Sequence, residues 1–446
     1  MDRSLDRRRF LKTAAAAGLG MTGFSAARPG FGAAFLKGSP SQSLRVAVMG
    51  VNARGNELAK AFAYQANAEV AYIADVDSRA VEKTVADVAA IQGVRPSGIG
   101  DFRHALDDAE VDALAIAAPD HWHAPAAILG LQAGKHIYVE KPCGHNPREG
   151  ELLIEAQRKY GRVVQMGNQQ RSGETTIEAI QYIHDGGIGR PYMGRAWYAN
   201  ARESIGRGKS APVPEWLDYE LWQGPAPRTP YRDNIIHYNW HWFWRWGTGE
   251  SCNNGTHEID ICRWALGVDY PVRVQSSGGR YHFDDDWEFY DTQLINFDFA
   301  NEATITWEGR SCQPFPILGR GRGSAIFGTE GTVIMDRNGY EIYDIENNLV
   351  RKVEAETEEA TMDVSGGGGL TDLHVRNFLD AIRGDVEQAS PIEEGHKSVL
   401  LCHLGNIAQE VGQTLYCDQE SGRIVGNVAA MKLWSREYEP GWEPTI

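Results

Sequence analysis

The chain has few cysteines, no long apolar run and no excess of positive charge, and each lack closes off a class of protein. The six cysteines, Cys143, Cys252, Cys262, Cys312, Cys402 and Cys417, show no zinc-type spacing, and no metal site is expected. They read as small buried apolar residues. Without an apolar stretch of membrane length, no stable membrane anchor is expected. A net charge of -16 lacks the basic footprint of nucleic-acid binding. No internal repeat is visible. At 446 residues the chain is too long for one ordinary core, so two domains are expected.

The opening forty residues read as a targeting segment, not as part of a fold. Arg7-Arg8-Arg9-Phe10-Leu11-Lys12 is followed by a short, weakly apolar, Ala/Gly-rich stretch from Thr13 to Phe24. This fits a twin-arginine export signal followed by a linker, and it is too weak to stay in a membrane. It predicts a periplasmic protein that meets the Tat export machinery already folded.

Residues 41–166 carry the pattern of a Rossmann domain. An apolar strand, Leu44 to Met49, runs into Gly50-Val51-Asn52-Ala53-Arg54-Gly55 and then into an apolar-periodic helix. Helix N-terminal amides there suit a pyrophosphate, and Arg54 suits an added phosphate such as that of NADP. Asn52 stands where a second glycine is usual. Asp75 closes the next strand, 20 residues beyond Gly55. An acid at that place holds ribose hydroxyls and repels a 2′-phosphate, so NAD is expected over NADP. A third strand leads into Pro119-Asp120-His121-Trp122-His123, and a fourth ends in Glu140-Lys141-Pro142. Ligands in open α/β sheets sit outside the carboxyl ends of the strands, which aims Lys141 at the nicotinamide position.

The Glu140-Lys141-Pro142 string after such a unit, together with Pro119-Asp120-His121-Trp122-His123, resembles the Gfo/Idh/MocA family of sugar and cyclitol oxidoreductases. The resemblance runs to the C-terminus. It implies that Pro119, His121, His123 and Glu140 pack beside the cofactor. It also implies a catalytic group in Asn253-Asn254-Gly255-Thr256-His257-Glu258-Ile259-Asp260: Lys141, His257 and Asp260 carry over. The family's first aspartate does not, since Asn253 stands in its place. On a helix, His257 and Asp260 share a face, and a histidine oriented by a carboxylate is a competent general acid/base. Asn253, an amide, can bind a hydroxyl but cannot take its proton.

Residues 167–446 read as an α+β domain serving substrate and oligomer contacts. Ala303, Ile305 and Trp307 alternate with polar neighbours, and the stretches 272–281, 292–299, 324–327, 332–335 and 340–343 behave similarly, giving a large, mostly antiparallel sheet. Gly366 to Gly369 reads as a joint before two late helices, 370–383 and 392–412. The aromatic string His237 to Trp246 supplies Trp240 and His241 as candidates for stacking on a sugar. Tyr198, Arg171 and, more weakly, Gln169, Asn200 and Arg202 complete the expected substrate wall.

The expected protein is a periplasmic, homo-oligomeric, NAD-dependent oxidoreductase. It acts on a secondary hydroxyl of a sugar, cyclitol or glycoside. The periplasm has no replenished dinucleotide pool, so the cofactor must be loaded before export and retained. That logic keeps open an NAD-dependent glycosidase working by transient oxidation, elimination and re-reduction. A non-enzymatic carbohydrate-binding protein is the remaining alternative.

Overall fold

A computed structural model describes residues 43–355 and 369–446. The expected export segment and residues 366–368 of the expected joint lie outside them. Six strands form the first sheet: β1 (Leu44–Met49), β2 (Ala68–Ala74), β3 (Ser97–Ile99), β4 (Ala113–Ile116), β5 (His136–Val139) and β6 (Val164–Met166). All neighbours are parallel, in the order β3-β2-β1-β4-β5-β6. Every residue of β4 is buried, as a sheet covered on both faces requires. The crossovers are α1 (Arg54–Ala63), α2 (Ser78–Gln92), the single turn α3 (Arg103–Leu106), α4 (Asp120–Gln132) and α5 (Pro147–Tyr160). Asn146 caps α5 through the Glu149 N–H, and Gly161, at φ 61°, ends it. Strand order reverses between β1 and β4, which opens a crevice at their carboxyl ends.

The second half contains α6 (Glu174–His184), β7 (Pro191–Ala199), α7 (Tyr219–Gln223) and α8 (Thr256–Leu266). Seven strands follow: β8 (Arg273–Gly279), β9 (Thr292–Asp298), β10 (Thr304–Arg310), β11 (Arg322–Gly328), β12 (Gly331–Asp336), β13 (Gly339–Asp344) and β14 (Leu349–Glu354). Then come α9 (Gly369–Arg383), α10 (Ile392–Val411), β15 (Leu415–Cys417) and β16 (Ile424–Val425). The ten strands order as β14-β13-β12-β11-β7-β10-β9-β8-β15-β16. Only β7 and β10 pair in parallel. Burial alternates strictly along β10, and its inward Ile305 and Trp307 meet Ile259 and Ile261 of α8 and Leu404 of α10.

The chain division at residue 166 separates the sheets but not the cores. Val375, Phe378 and Leu379 of α9 pack with Val48, Phe62 and Tyr138 of the Rossmann half. Ile392 and Val399 of α10 join Leu153 and Met166 on the other face. Two late helices thus complete the first domain's layers. All six cysteines are buried, free thiols. No helix among the described residues is long and apolar enough to cross a membrane.

Three histidines are packing elements between these layers. His121, His374 and His396 are nearly fully buried, and burial pulls them down to about 3, 4 and 3 respectively. In the unfolded chain they titrate near about 6.5. The unfolded state therefore takes up protons that the folded state refuses. Their stabilising contribution is whole above about pH 6.5 and is lost as pH falls toward those folded values, at about 1.4 kcal/mol per ring per pH unit. Melting temperature should drop steeply between pH 6 and 4.5. A flat profile there, measured by calorimetry, would show that the rings are charged in the fold.

Candidate functional site

The crevice forms a cavity of about 480 Å³. Its nucleotide end is built by close backbone approach. Gly50 has φ +82°, and a Cβ there would sit 2.4 Å from the Ala118 nitrogen. A Cβ on Gly55 would lie 2.0 Å from the Gly50 oxygen. The two glycines let the β1–α1 turn lie against the loop after β4. Asn52 is exposed in that turn and lines the cavity, as do Arg54, Asp75, Pro119, His123 and Glu140. The Asp75 carboxylate accepts the Val51 N–H at 2.5 Å and the Asp77 N–H at 2.9 Å. Burial raises its pKa. The Arg54 Nε donates to Glu140 Oε1 at 2.8 Å, and its Nη1 to Thr371 Oγ1 at 3.1 Å. A helix N-terminus, a tight glycine turn and an acid at the end of β2 fit a dinucleotide.

The chemical end joins both sheets. Lys141 follows β5, and its Nζ donates to the Asn253 carbonyl at 2.6 Å and to Asn253 Oδ1 at 3.2 Å. Burial lowers the lysine pKa, against the pull of Glu140, Asp120 and Glu250. Asn253 lies in a π-helical turn, Ser251–Gly255, immediately before α8. Its Nδ2 donates to Glu250 Oε1 at 3.2 Å, so both ends of this amide are engaged by protein. His257 faces the same cavity, and among the described residues neither ring nitrogen has a hydrogen-bond partner. Burial first, then the charges of Arg337, Lys141, Arg322 and Arg54, hold it well below its ordinary pKa. It is a neutral imidazole with a free acceptor.

Five expected site residues lie elsewhere. Asp260 does not orient His257. Its carboxylate accepts Arg171 Nε and Nη2 at 2.7 and 2.8 Å, and Ser398 Oγ at 2.6 Å. Arg171 needs a buried counter-charge, and α10 brings Ser398 to the same oxygen, so Asp260 turns from the cavity. Arg171 is correspondingly withdrawn from the substrate wall. His121 packs beneath a second-domain segment, Nε2 against the Trp222 carbonyl at 2.9 Å. Gly55 is buried in the helix start and acts only by permitting contact. Gln169 is also withdrawn, donating to Glu140 and Tyr138.

His123 lies in the cavity wall with its two ring nitrogens 2.6 and 2.7 Å from the Pro142 and Ala118 carbonyls. Tyr198, Asn200, Arg202, Trp240 and His241 also line the cavity. Trp240 and His241 stack on each other at 3.6 Å, and burial holds His241 well below its ordinary pKa. Arg322 and Asn254 were not foreseen. Arg322 sits in a Gly-Arg-Gly-Arg-Gly run at the start of β11, which reads as a turn and carries no recognisable motif.

A segment of the second half closes over the ribose end. Leu217 bridges Asp77, the Ser78 N–H donates to the Trp216 carbonyl, and the Asp218 N–H to the Val76 carbonyl, both at 3.0 Å. His237 Nε2 lies 2.9 Å from Asp77 Oδ2, and the Arg79 guanidinium stacks 3.5 Å over Trp216.

Residues 44–168 match the model of an oxidoreductase family with an NAD-binding Rossmann fold, and 196–443 match that family's C-terminal alpha/beta domain. A glycosyl hydrolase family 109 protein of Saccharopolyspora erythraea is 28% identical over 47% of this chain, which spans about half (49%) of that relative. An inositol 2-dehydrogenase of Klebsiella pneumoniae is 24% identical over 60% of this chain and 67% of its own. Levoglucosan dehydrogenase in complex with NADH shares the fold at a TM-score of 0.65 and 20% identity, over 85% of this chain and all of that one (100%). So does the WlbA dehydrogenase from Bordetella pertussis in complex with NADH and UDP-GlcNAcA, at 0.62 and 20%, over 84% and 99%.

The Arg171–Asp260 pair is 7% and 2% exposed, so removing one partner leaves a buried charge. Arg171→Met should cost about 3–5 kcal/mol of stability. Adding Asp260→Asn should restore much of it, as read by urea unfolding. A double variant no better than the single would show that the pair acts by packing alone.

Proposed function

We propose that this chain, which belongs to the Gfo/Idh/MocA oxidoreductase family, uses NAD to oxidise a secondary hydroxyl of a sugar, cyclitol or glycoside. The observation that carries the reading is a half-buried ammonium and a neutral, uncommitted imidazole facing one cavity. Bound NAD supplies the hydride acceptor. His257 takes the hydroxyl proton, which an imidazole with a free acceptor nitrogen does without first losing its own. Lys141, braced on the Asn253 carbonyl, donates to the oxygen as negative charge develops there. Asn253 acts here as the brace, since its amide is already bonded at both ends. The relatives named as inositol 2-dehydrogenase and glycosyl hydrolase frame the substrate class.

The finer reading is an exported enzyme that retains its cofactor. It rests on the Arg7-Arg8-Arg9 segment and on the second-domain closure at Asp77. That closure also favours a second reading, a glycosidase in which oxidation is reversed before product leaves, so that NAD is restored in place.

His257→Ala and Lys141→Ala should each lower single-turnover nicotinamide reduction by about 10²–10⁴-fold while leaving NAD binding intact. Full activity in both would make the two residues structural. Product analysis with aryl glycosides separates ketone from free sugar.

Natively exported protein should carry nucleotide through gel filtration. His237→Ala, which removes the contact to Asp77, should speed nucleotide release about tenfold in a fluorescence chase. Empty protein from the periplasm that rebinds NAD weakly would contradict retention.

A further inference from the structure

The two sides of the cavity differ in charge. The carboxylates that line it, Glu57, Asp75, Asp120 and Glu140, come from the Rossmann side. Among the described residues the second domain lines it with no acid, but with Arg202 and Arg322. This occurs in a chain of net charge -16. Both guanidinium groups flank the Tyr198 ring, 5.8 and 5.2 Å from its centre.

Each arginine is held from behind. Arg202 donates through Nε and Nη2 to Glu250 at 2.6 and 3.2 Å and through Nη1 to the Tyr238 hydroxyl at 2.7 Å; Arg322 donates through Nε to Glu258 at 2.7 Å, with Nη2 at the same distance from that carboxylate. The glutamates are 4% and 3% exposed, whereas the arginines are 13% and 22% exposed. The glutamates therefore fix the planes of the guanidinium groups and neutralise their charge at a distance. They leave Nη1 of each arginine to groups that line the cavity, the Tyr238 hydroxyl for Arg202 and Asn254 for Arg322. Nη1 of Arg322 is only loosely engaged, 3.3 Å from Asn254 Oδ1. A guanidinium has five N–H donors, and a free edge matches two oxygens of an oxyanion. A wall for neutral hydroxyls is served by amides such as Asn200. Desolvating two arginines, each with a buried carboxylate, is a costly arrangement without an anion to receive.

Resting on the reading that this cavity binds a sugar, we infer that its substrate is an anionic sugar. A carboxylate or sulfate ester at the end of the ring facing Tyr198 would be received by Arg322 and Arg202.

The test is binding to the full-length, NAD-supplemented protein by calorimetry. The probes are methyl glucoside, methyl glucuronide and methyl glucoside 6-sulfate. An anionic probe should bind about 10–100-fold more tightly than the neutral one, with the advantage shrinking as salt is raised. Preference for the glucuronide alone names a carboxylate, and for the sulfate alone an ester. Arg322→Gln removes the receiving charge while Glu258 keeps the buried Arg337 as its counter-charge, and should bring the ratio to within about threefold of one. If the variant does not fold, the comparison on the unaltered protein still decides. Equal binding of all three probes, or binding of none, overturns the inference. Anionic preference without any nicotinamide reduction would uphold it and sink the oxidoreductase reading instead.

Discussion

The contact between the Lys141 ammonium and the Asn253 carbonyl is the constraint on which the site depends. It spans 112 residues of sequence and joins the end of a parallel strand to a π-helical turn. In a regular α-helix that carbonyl would serve the helix itself, and a wider turn changes how its carbonyls are engaged. The lysine would otherwise be a long flexible chain losing several rotors on burial. The bond holds it in place and gives its charge a partner that does not neutralise it. A carboxylate in the position of Asn253 would form an ion pair and weaken the ammonium as a donor to an alkoxide.

His257 follows the same logic. A carboxylate beside an imidazole raises its pKa and fixes its tautomer, and Asp260 was expected to supply one. In the structure Asp260 is committed to Arg171 and Ser398, while the histidine stands among positive charges. That field disfavours the imidazolium. It keeps the ring unprotonated at neutral pH, as a weaker base than a free imidazole and a stronger acid once it has taken the proton. Such a ring hands its proton back readily, which suits a reaction run in both directions within one cycle.

Much of this was legible in the sequence, for identifiable reasons. Parallel strands buried on both faces are continuous apolar runs, so β1, β2, β4 and β5 stood out, and their carboxyl ends located Gly50, Asp75 and Lys141. The alternation in β9 and β10 gave the second sheet. Strand β14, LVRKVE, was not visible because most of its side chains are exposed at a sheet edge and no buried face imposes a period of two. Arg171 and Asp260 were misplaced because helix spacing says which side chains share a face, not which partner claims them. That choice was made by Ser398, far along the chain on α10. Arg322 was hidden by its glycines, since a turn-like run says nothing about which cavity the turn overlooks.

The ribose-end closure links these parts into one argument. Asp77 is at once the N-cap of α2, its carboxylate accepting the Arg79 N–H, and the anchor for His237 and the Leu217 bridge. A residue that serves the Rossmann helix therefore also fastens the second domain above the adenosine position. Opening the crevice at that end means breaking backbone hydrogen bonds to Trp216 and Val76, whereas Tyr238 and Trp240 line the cavity and take no part in them. Under the proposed function, cofactor and substrate share one cavity but meet different barriers. On that same proposal, the difference favours many substrate exchanges per cofactor.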